Sequence, residues 1–418
     1  MGATFIRAED MLDDSVNARL SGDNERQLET AIRSALITFF RTETPAERKH
    51  SVARVRSRLD YEGRSAYQVL KRLLDTYPDV EEVYVPNGRF PNQKMTTLAA
   101  QDSSVKTLHF EKGETPNGAY LQPYAPQSRV LSQASVDSVL AGLNEDEIDS
   151  IADEWLAHRV PSNDSRNEFA ALWENDLPPL FVSSQRAGSR IAGFFTSSQD
   201  EFQSLGPEWQ LHSWKSQFEA FDAIMTRFEG AGFQCYIRVH PNLATKAHDS
   251  FTRERNGIRW LAQRHPGLLV IWHDDFANTY ALMGHTDAIV VWDSTVGLEA
   301  SARGIPVWTT AASRYGLTAD IREVLSFEAL DAGEIETWTV NEHSAKRFIA
   351  YMVKRDSQME VDVQPWESWD AGRPPRGARL SRILVSGGNP TVRTAVQSLI
   401  DVYRHRRVRS NVRSVLHR

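Results

Sequence analysis

The chain has 418 residues, 41% hydrophobic and 25% charged, with a net charge of -7. That length accommodates two ordinary domains, each able to bury its own core, and the composition excludes a disordered or fibrous chain. A broad nucleic-acid face is excluded as well: the stretch Arg404 to Arg418 carries six Arg and no acid, so removing it from -7 leaves the remainder at -13, and a polyanion needs a clustered basic footprint.

No apolar run reaches the roughly 18 to 20 residues that span a bilayer. The opening MGATFIRAEDMLDD turns acidic at once without a signal-peptide core, and Ile6 stands where a myristoylation motif beginning at Gly2 needs Ser or Thr. Cys235 is the single cysteine. No internal disulfide can form, and a reducing cytoplasm is the expected compartment.

In chain order, LETAIRSALITFF and SAYQVLKRLLDTYP carry apolar residues at helical spacing. VEEVYVPNGRF is a strand ending on Asn87, Gly88 and Arg89, SSVKTLHFEKG is a strand carrying Glu111, and SVDSVLAGLNEDEIDSIADEWLAHR reads as one helix. From Arg190 the alternation becomes regular. Strand RIAGFFTSS is followed by a helix with Trp214, Phe218, Phe221, Ile224, Met225 and Phe228 on one face, closed by Gly230 and Gly232. Strand FQCYIRV, helix RNGIRWLAQRHPG, strand LLVIW, a short helix at ANTYALMG, strand AIVVW, helix VGLEASARG and strand IPVW complete the series. Five strands separated by helices imply right-handed crossovers and a parallel sheet. The expected organisation is a first, reduced α/β domain over 1–187, a second over 188–375, and a C-terminal helix with a basic tail over 376–418. In that last segment Val392, Val396, Leu399, Ile400 and Tyr403 form an apolar stripe running into the Arg cluster. Such a helix either lies on anionic lipid or packs back on the first domain.

Ligands of parallel α/β sheets bind beyond the carboxyl ends of the strands, where Ser197 and Ser198, His240, His273 to Asp275, and Asp293 to Thr295 all fall. His240 can donate to a phosphate oxygen, with Pro241 fixing the turn that projects its ring; a loop-capping role is the alternative, and His265-Pro266 is that plainer case. Ser294 and Thr295 precede a helix start, where exposed amides suit an anion, although capping alone also explains Ser294. Glu299 reaches a ribose hydroxyl or is an ordinary carboxylate. Asp200 and Glu201 follow the two serines. Convergence of several phosphate-compatible strand ends points to a nucleotide site. The chain has no GxGxxG, P-loop, GxSxG or Asp-x-Asp element, and His285 and Asp287 read as loop polarity rather than metal ligands, so no metal or cofactor is expected.

RVHPN followed by DSTVGLEASARGIPVW resembles the His-Pro and Ser/Thr-Glu-Ala-Gly-Pro pattern of bacterial capsule polysaccharide glycosyltransferases of the GT-B fold, including those that transfer Kdo from a CMP donor. FFTSSQDEF is similar to the start of their C-terminal domain, and VYVPNGRF with LHFEKG to their N-terminal signatures. More distantly the pattern is similar to CMP-sialic acid transferases and to polymerases using CDP-glycerol. The resemblance implies an α/β, GT-B-like fold: two Rossmann-like domains facing a cleft, with a C-terminal helix crossing back. It places donor phosphate at His240, Ser294 and Thr295, ribose at Glu299, and the first donor loop at Ser197 and Ser198. Asn87, Arg89 and Glu111 face the acceptor. The opening strand and loop of that N-terminal domain are missing here.

The expected function is metal-independent transfer of a sugar from a nucleotide-sugar, CMP-linked in the nearest pattern, to a surface polysaccharide or glycolipid at the inner membrane face. Glu111 is the candidate base, with Asp200 and Glu201 as substitutes, and His240, Arg238 and the Ser294 helix start stabilise the leaving phosphate. A polyol-phosphate transferase and a non-catalytic nucleotide-binding scaffold are the two rival readings.

Overall fold

The computed structural model describes residues 11, 20–45, 50–114, 118–159, 177–178, 181, 188–241, 243, 246, 248–275, 277–331 and 337–356. Met1–Glu360 form one compact unit. The expected helix and basic tail after residue 376 lie outside the described residues.

Two helices open the unit, α1 (Gly22–Phe40) and α2 (His50–Thr76). Ser21 starts α1 by accepting the Asn24 N–H at 3.2 Å, and Arg41 ends it in the left-handed region at φ 53°. Next come β1 (Glu82–Pro86), α3 (Pro91–Gln101), β2 (Lys106–Lys112) and β3 (Ala119–Gln122). These strands form a three-stranded sheet in which β1 and β2 are parallel and β3 runs antiparallel to β2. The α1–α3 layer closes on it through Leu28, Ile32, Leu36, Val52 and Met95.

Between the sheets the expected single helix is instead broken. The chain forms α4 (Arg129–Ala134), α5 (Val136–Val139) and α6 (Glu145–Arg159). Gly142 sits at φ 93°, which no helix admits, and Asn144 and Glu147 then cap α6 reciprocally at 3.0 and 2.8 Å.

The second sheet is built from β4 (Ile191–Phe195), α7 (Gln199–Gln203), α8 (Gln217–Gly230), β5 (Gln234–Arg238), α9 (His248–Arg264), β6 (Leu269–Ile271), α10 (Thr279–Met283), β7 (Ala288–Val291), α11 (Thr295–Ser301), β8 (Val307–Thr309) and β9 (Arg322–Glu323). The strand order is β6-β5-β4-β7-β8-β9, and every neighbouring pair is parallel. The sixth strand, only two residues long, carries too little pattern to be read from sequence. Trp214 precedes α8 rather than belonging to it. It is buried all the same, because its indole N–H donates to the Val324 carbonyl at 2.9 Å. Phe194, Phe221, Phe228, Ile237, Val290 and Trp308 form the core on one face of the sheet; Phe195, Tyr236, Ile289, Val291 and Val307 form it on the other. Burial on both faces is what a doubly covered parallel sheet requires.

After α12 (Phe327–Asp331), helix α13 (Glu342–Asp356) returns to the first half. It packs Phe348, Ile349 and Met352 against Ile148, Trp155 and Leu156. The Asp356 carboxylate accepts the Glu114 N–H, and the Arg355 guanidinium lies 4.0 Å from the Tyr120 ring centroid. Among the described residues the architecture is therefore α/β with two sheets, a three-stranded mixed one and a six-stranded parallel one of the Rossmann type.

Gly193, inside β4, shows how tightly the second core is filled: a Cβ there would meet the Tyr236 hydroxyl at 2.5 Å, and that hydroxyl pairs with Thr286 Oγ1 at 3.0 Å. Gly193→Ala must displace a fully buried ring. An overpacking cost of about 1–3 kcal/mol is expected, visible as a lower urea midpoint with unchanged slope.

Candidate functional site

In the second sheet, β5 and β6 extend from β4 in one direction while β7, β8 and β9 extend in the other. The topological switch therefore lies between the carboxyl ends of β4 and β7, the place where open α/β sheets receive ligands. Ser197 stitches those ends together. Its hydroxyl donates to the Asp293 carbonyl at 2.7 Å and accepts the Asp293 N–H at 3.3 Å, while its own N–H donates to Gln217 Oε1 at 3.1 Å. On the other side, the Thr196 N–H donates to the Arg238 carbonyl at 3.1 Å and Thr196 Oγ1 accepts the His240 N–H at 2.8 Å. The sequence-predicted edge is thus physically one edge, with Ser197, Ser198, His240 and Ser294 brought to it by adjacent strands.

The individual roles differ from residue to residue. Ser197 spends its hydroxyl on the backbone. Ser198 is buried at the start of α7, and its Oγ has no hydrogen-bond partner among the described residues. His240 is partly exposed; burial, with Lys246, Arg238 and Arg41 nearby, pushes its ring down to about 4. A neutral imidazole follows, able to donate from one nitrogen only. Pro241 opens a tight turn in which the Leu243 N–H donates to the His240 carbonyl at 3.0 Å. Arg238 is buried, and it donates to the carbonyls of Trp272 and, at 3.0 Å, of Asp275. Those bonds fix the loop after β6 against β5 and leave the guanidinium chiefly a positioning group. His273, in that loop, is pushed down by burial.

Ser294 caps α11: its Oγ accepts the Val296 N–H at 3.3 Å, and its carbonyl accepts the Tyr315 hydroxyl at 2.7 Å. Thr295 beside it is exposed. Glu299 is buried and ion-paired with Arg159 of α6 at 3.0 Å, with Tyr280 against it. His265 sits between Glu229 at 2.8 Å and Asp222 at 3.0 Å, so it latches the end of α9 onto α8 rather than capping a loop.

Asp200 belongs to a buried charge cluster near His240, and Glu201 lies at its exposed margin. Lys246 Nζ lies 3.0 Å from Asp200 and contacts Glu254, while Arg41 reaches Asp200 at 3.7 Å and Glu201 at 3.2 Å. Burial pushes Glu254 up to about 7 against the pull of Lys246. The cluster ties α1, α7 and α9 to the loop that carries His240.

On the first sheet, Asn87 has φ 59° and Gly88 φ 86°, a left-handed turn that only Gly and Asn enter readily. Gly88 is obligatory there, since a Cβ would meet the His109 ring at 2.6 Å. The turn brings the Asn87 amide onto the Glu111 carboxylate. The Arg89 N–H donates to Asn87 Oδ1 at 3.3 Å, and its Nη1 reaches Ser204 Oγ at 2.8 Å, across to the end of α7. Arg89 thereby joins the Asn87–Glu111 turn to the end of α7.

Two residues escaped the sequence, and a third was named only as part of a strand end. His109, two residues before Glu111, is buried and pushed down to about 4 by burial and then by Lys94. Arg129 of α4 donates from Nε to the Ser313 carbonyl at 2.5 Å and from Nη2 to Glu323 at 2.7 Å. Asp293 is 4% exposed, and burial pushes its carboxyl up to about 7. Each depends on partners far along the chain, so no local spacing announces them.

No family model and no curated protein matches the chain. Among solved structures it is similar to Thermosulfurimonas dismutans KpsC, a beta Kdo 2,4 transferase, at 14% identity over 65% of this chain and 79% of that one, with a TM-score of 0.38. It is also similar to Methanocaldococcus jannaschii UDP-GlcNAc 2-epimerase in complex with UDP-GlcNAc and UDP, at 11% identity over 78% and 96%, TM-score 0.31. A third is a UDP-forming alpha,alpha-trehalose-phosphate synthase from Burkholderia xenovorans, at 14% identity over 81% and 85%, TM-score 0.34. Likeness this low carries no chemistry, so the reading below rests on the chain's own residues. Among the described residues no helix is long and apolar enough to cross a membrane.

The Asp293 shift has a signed consequence. The folded chain holds this proton up to about pH 7, whereas an unfolded Asp releases it near pH 4, so its contribution to stability is present below about pH 4 and lost as pH rises towards 7. Asp293→Asn removes that loss. Urea titrations between pH 4 and 8 should show the variant gaining on wild type as pH rises; a difference independent of pH would contradict the assignment.

Proposed function

We propose that the chain is a glycosyltransferase of the GT-B kind that moves a sugar from a nucleotide-sugar to a polysaccharide or glycolipid acceptor. The observation that carries this reading is the arrangement about the switch point. The polar ends of β4, β5 and β7 share one edge, and Arg89 links that edge through Ser204 to the Asn87–Glu111 pair on the other sheet. The nucleotide-sugar sits along the edge and the acceptor enters from the Glu111 side.

In this reaction the Glu111 carboxylate takes the proton of an acceptor hydroxyl, whose oxygen attacks the anomeric carbon as the bond to nucleotide phosphate breaks. Asn87 holds the carboxylate in place from behind. Negative charge grows on the leaving phosphate and is met by the His240 N–H and by the backbone amides beside Ser198 and Ser294. These groups are fixed before the reaction, so they stabilise the charge without reorganising. No step in this scheme calls for a metal. Glu299, held by Arg159, shapes the donor side through α11, and Thr295 is left at the surface of the edge. A CMP-linked donor and an anionic membrane surface for the basic tail belong to the same proposal, as do the two-domain boundaries at 187 and 375.

A thermal-shift panel of CMP, CDP, UDP and GDP tests the donor side, since a ligand bound by the native state raises its melting temperature. His240→Ala should weaken the stabilising nucleotide about ten-fold or more, the worth of a hydrogen bond of roughly 1.5–3 kcal/mol to a charged partner, and leave the corresponding nucleoside unaffected. Glu111→Gln should abolish transfer and keep nucleotide affinity. A panel in which no nucleotide stabilises the protein would overturn the reading.

A further inference from the structure

The first sheet ends on an open strand. In the order β1-β2-β3 the strand β1 is an edge, and its bonds to β2 fix where its backbone groups point. The Lys106 N–H donates to the Glu81 carbonyl at 3.3 Å and the Asn87 N–H to the Phe110 carbonyl at 2.9 Å, so the odd-numbered residues of β1 face β2. Alternation along a strand then turns the N–H and C=O of Glu82 and Tyr84 outwards. Among the described residues these outward groups have no hydrogen-bond partner. Pro86 closes the row: it has no N–H, and the Gly88 N–H takes its carbonyl at 2.6 Å.

Edges of this kind are commonly guarded by a charge that an added strand would have to bury. Here the charge is compensated within the sheet, since the Glu82 carboxylate is met by Lys106 Nζ at 2.6 Å and by the Tyr84 hydroxyl at 2.7 Å. Tyr84 itself is 56% exposed, on the same face as the exposed Phe110 of β2.

The edge is complementary to itself. When two copies lie antiparallel about a two-fold axis at Val83, Glu82 of each opposes Tyr84 of the other. Each opposed pair exchanges both of its backbone bonds, so all the outward groups of Glu82 and Tyr84 are used and none is left over. Glu82 does not face Glu82 in this register. Its carboxylate meets a tyrosine, the partner it already has within one chain, and such cross-strand pairs are what stabilise a sheet. Val83, half-buried, meets Val83 of the second copy on the opposite face.

We propose that β1 is a self-association edge: two copies of this chain pair β1 with β1 antiparallel about Val83, joining their three-stranded sheets into one in the order β3-β2-β1-β1-β2-β3. This inference does not depend on the nucleotide-sugar reading.

Sedimentation velocity of the full chain over a wide concentration range tests it. Wild type should dimerise reversibly. Tyr84→Pro removes the outward N–H and leaves the bonds to β2, since proline is tolerated where an edge strand's N–H points away from its neighbour; Tyr84→Glu sets a carboxylate opposite Glu82 of the second copy. Each should raise the dimer dissociation constant roughly ten-fold or more, whereas Tyr84→Lys, of opposite charge to Glu82, should keep the dimer. If Tyr84→Pro does not fold, the contrast between Tyr84→Glu and Tyr84→Lys at this exposed position decides. The register is read by Val83→Cys: across a non-hydrogen-bonded antiparallel pair the Cα atoms lie about 4.5 Å apart, within reach of a disulfide. Mild oxidation should link Val83→Cys into a covalent dimer and leave wild type, whose Cys235 is buried, unlinked. A wild type that stays monomeric throughout, a dimer indifferent to Tyr84→Pro and Tyr84→Glu, or a Val83→Cys variant that does not cross-link contradicts the proposal.

Discussion

The Ser197 hydroxyl carries the pairing of β4 and β7 past the last residues of their backbone ladder. It bonds both backbone groups of Asp293 across the point where the strand order turns outward. At such a point the crossover helices leave to opposite sides and the sheet edge is left uncovered. Every polar residue of the candidate site is placed relative to that bond. Thr196 extends it to His240, Gln217 of α8 backs it from the core side, and Asp293 leads directly into Ser294, the cap of α11.

Keeping such an edge polar inside a folded protein requires compensation, and the chain supplies it from a distance. Arg238 is buried and held by two carbonyls. Lys246 is enclosed between Asp200 and Glu254. His240 and His109 are kept neutral by burial. Removing one partner from a buried charged set costs about 3–5 kcal/mol, because the other is left uncompensated. The cations around His240 thus serve mainly to fix geometry.

Much of this was legible in the sequence where the signal was local. Strands such as AIVVW and FQCYIRV are apolar throughout because both faces of the sheet are covered, and their polar ends fell where the structure has them. The strand end at Asn87, Gly88 and Arg89 was read too, although not the left-handed turn that forms it. What could not be read depended on distant partners or on short elements. Gly142 broke a helix whose apolar periodicity continued through it. The antiparallel β3 is four residues long and β9 two. Glu299 looked available on its helix, but its partner Arg159 lies 140 positions away, and Asp293 drew notice only as a neighbour of Ser294 although it is the more deeply buried of the two. Sequence spacing locates an edge; which side chains on it are already committed depends on what packs against them.

The central claim, that these strand ends act as one nucleotide-phosphate site, is tested most directly by amide hydrogen exchange with and without the nucleotide that stabilises the chain. Backbone groups that donate to a bound phosphate, and the loops it braces, exchange more slowly. The account expects simultaneous protection of segments 196–199, 239–241 and 292–296, with the β1 and β2 strands unchanged. Protection confined to the first sheet, or to only one of those three segments, would contradict it.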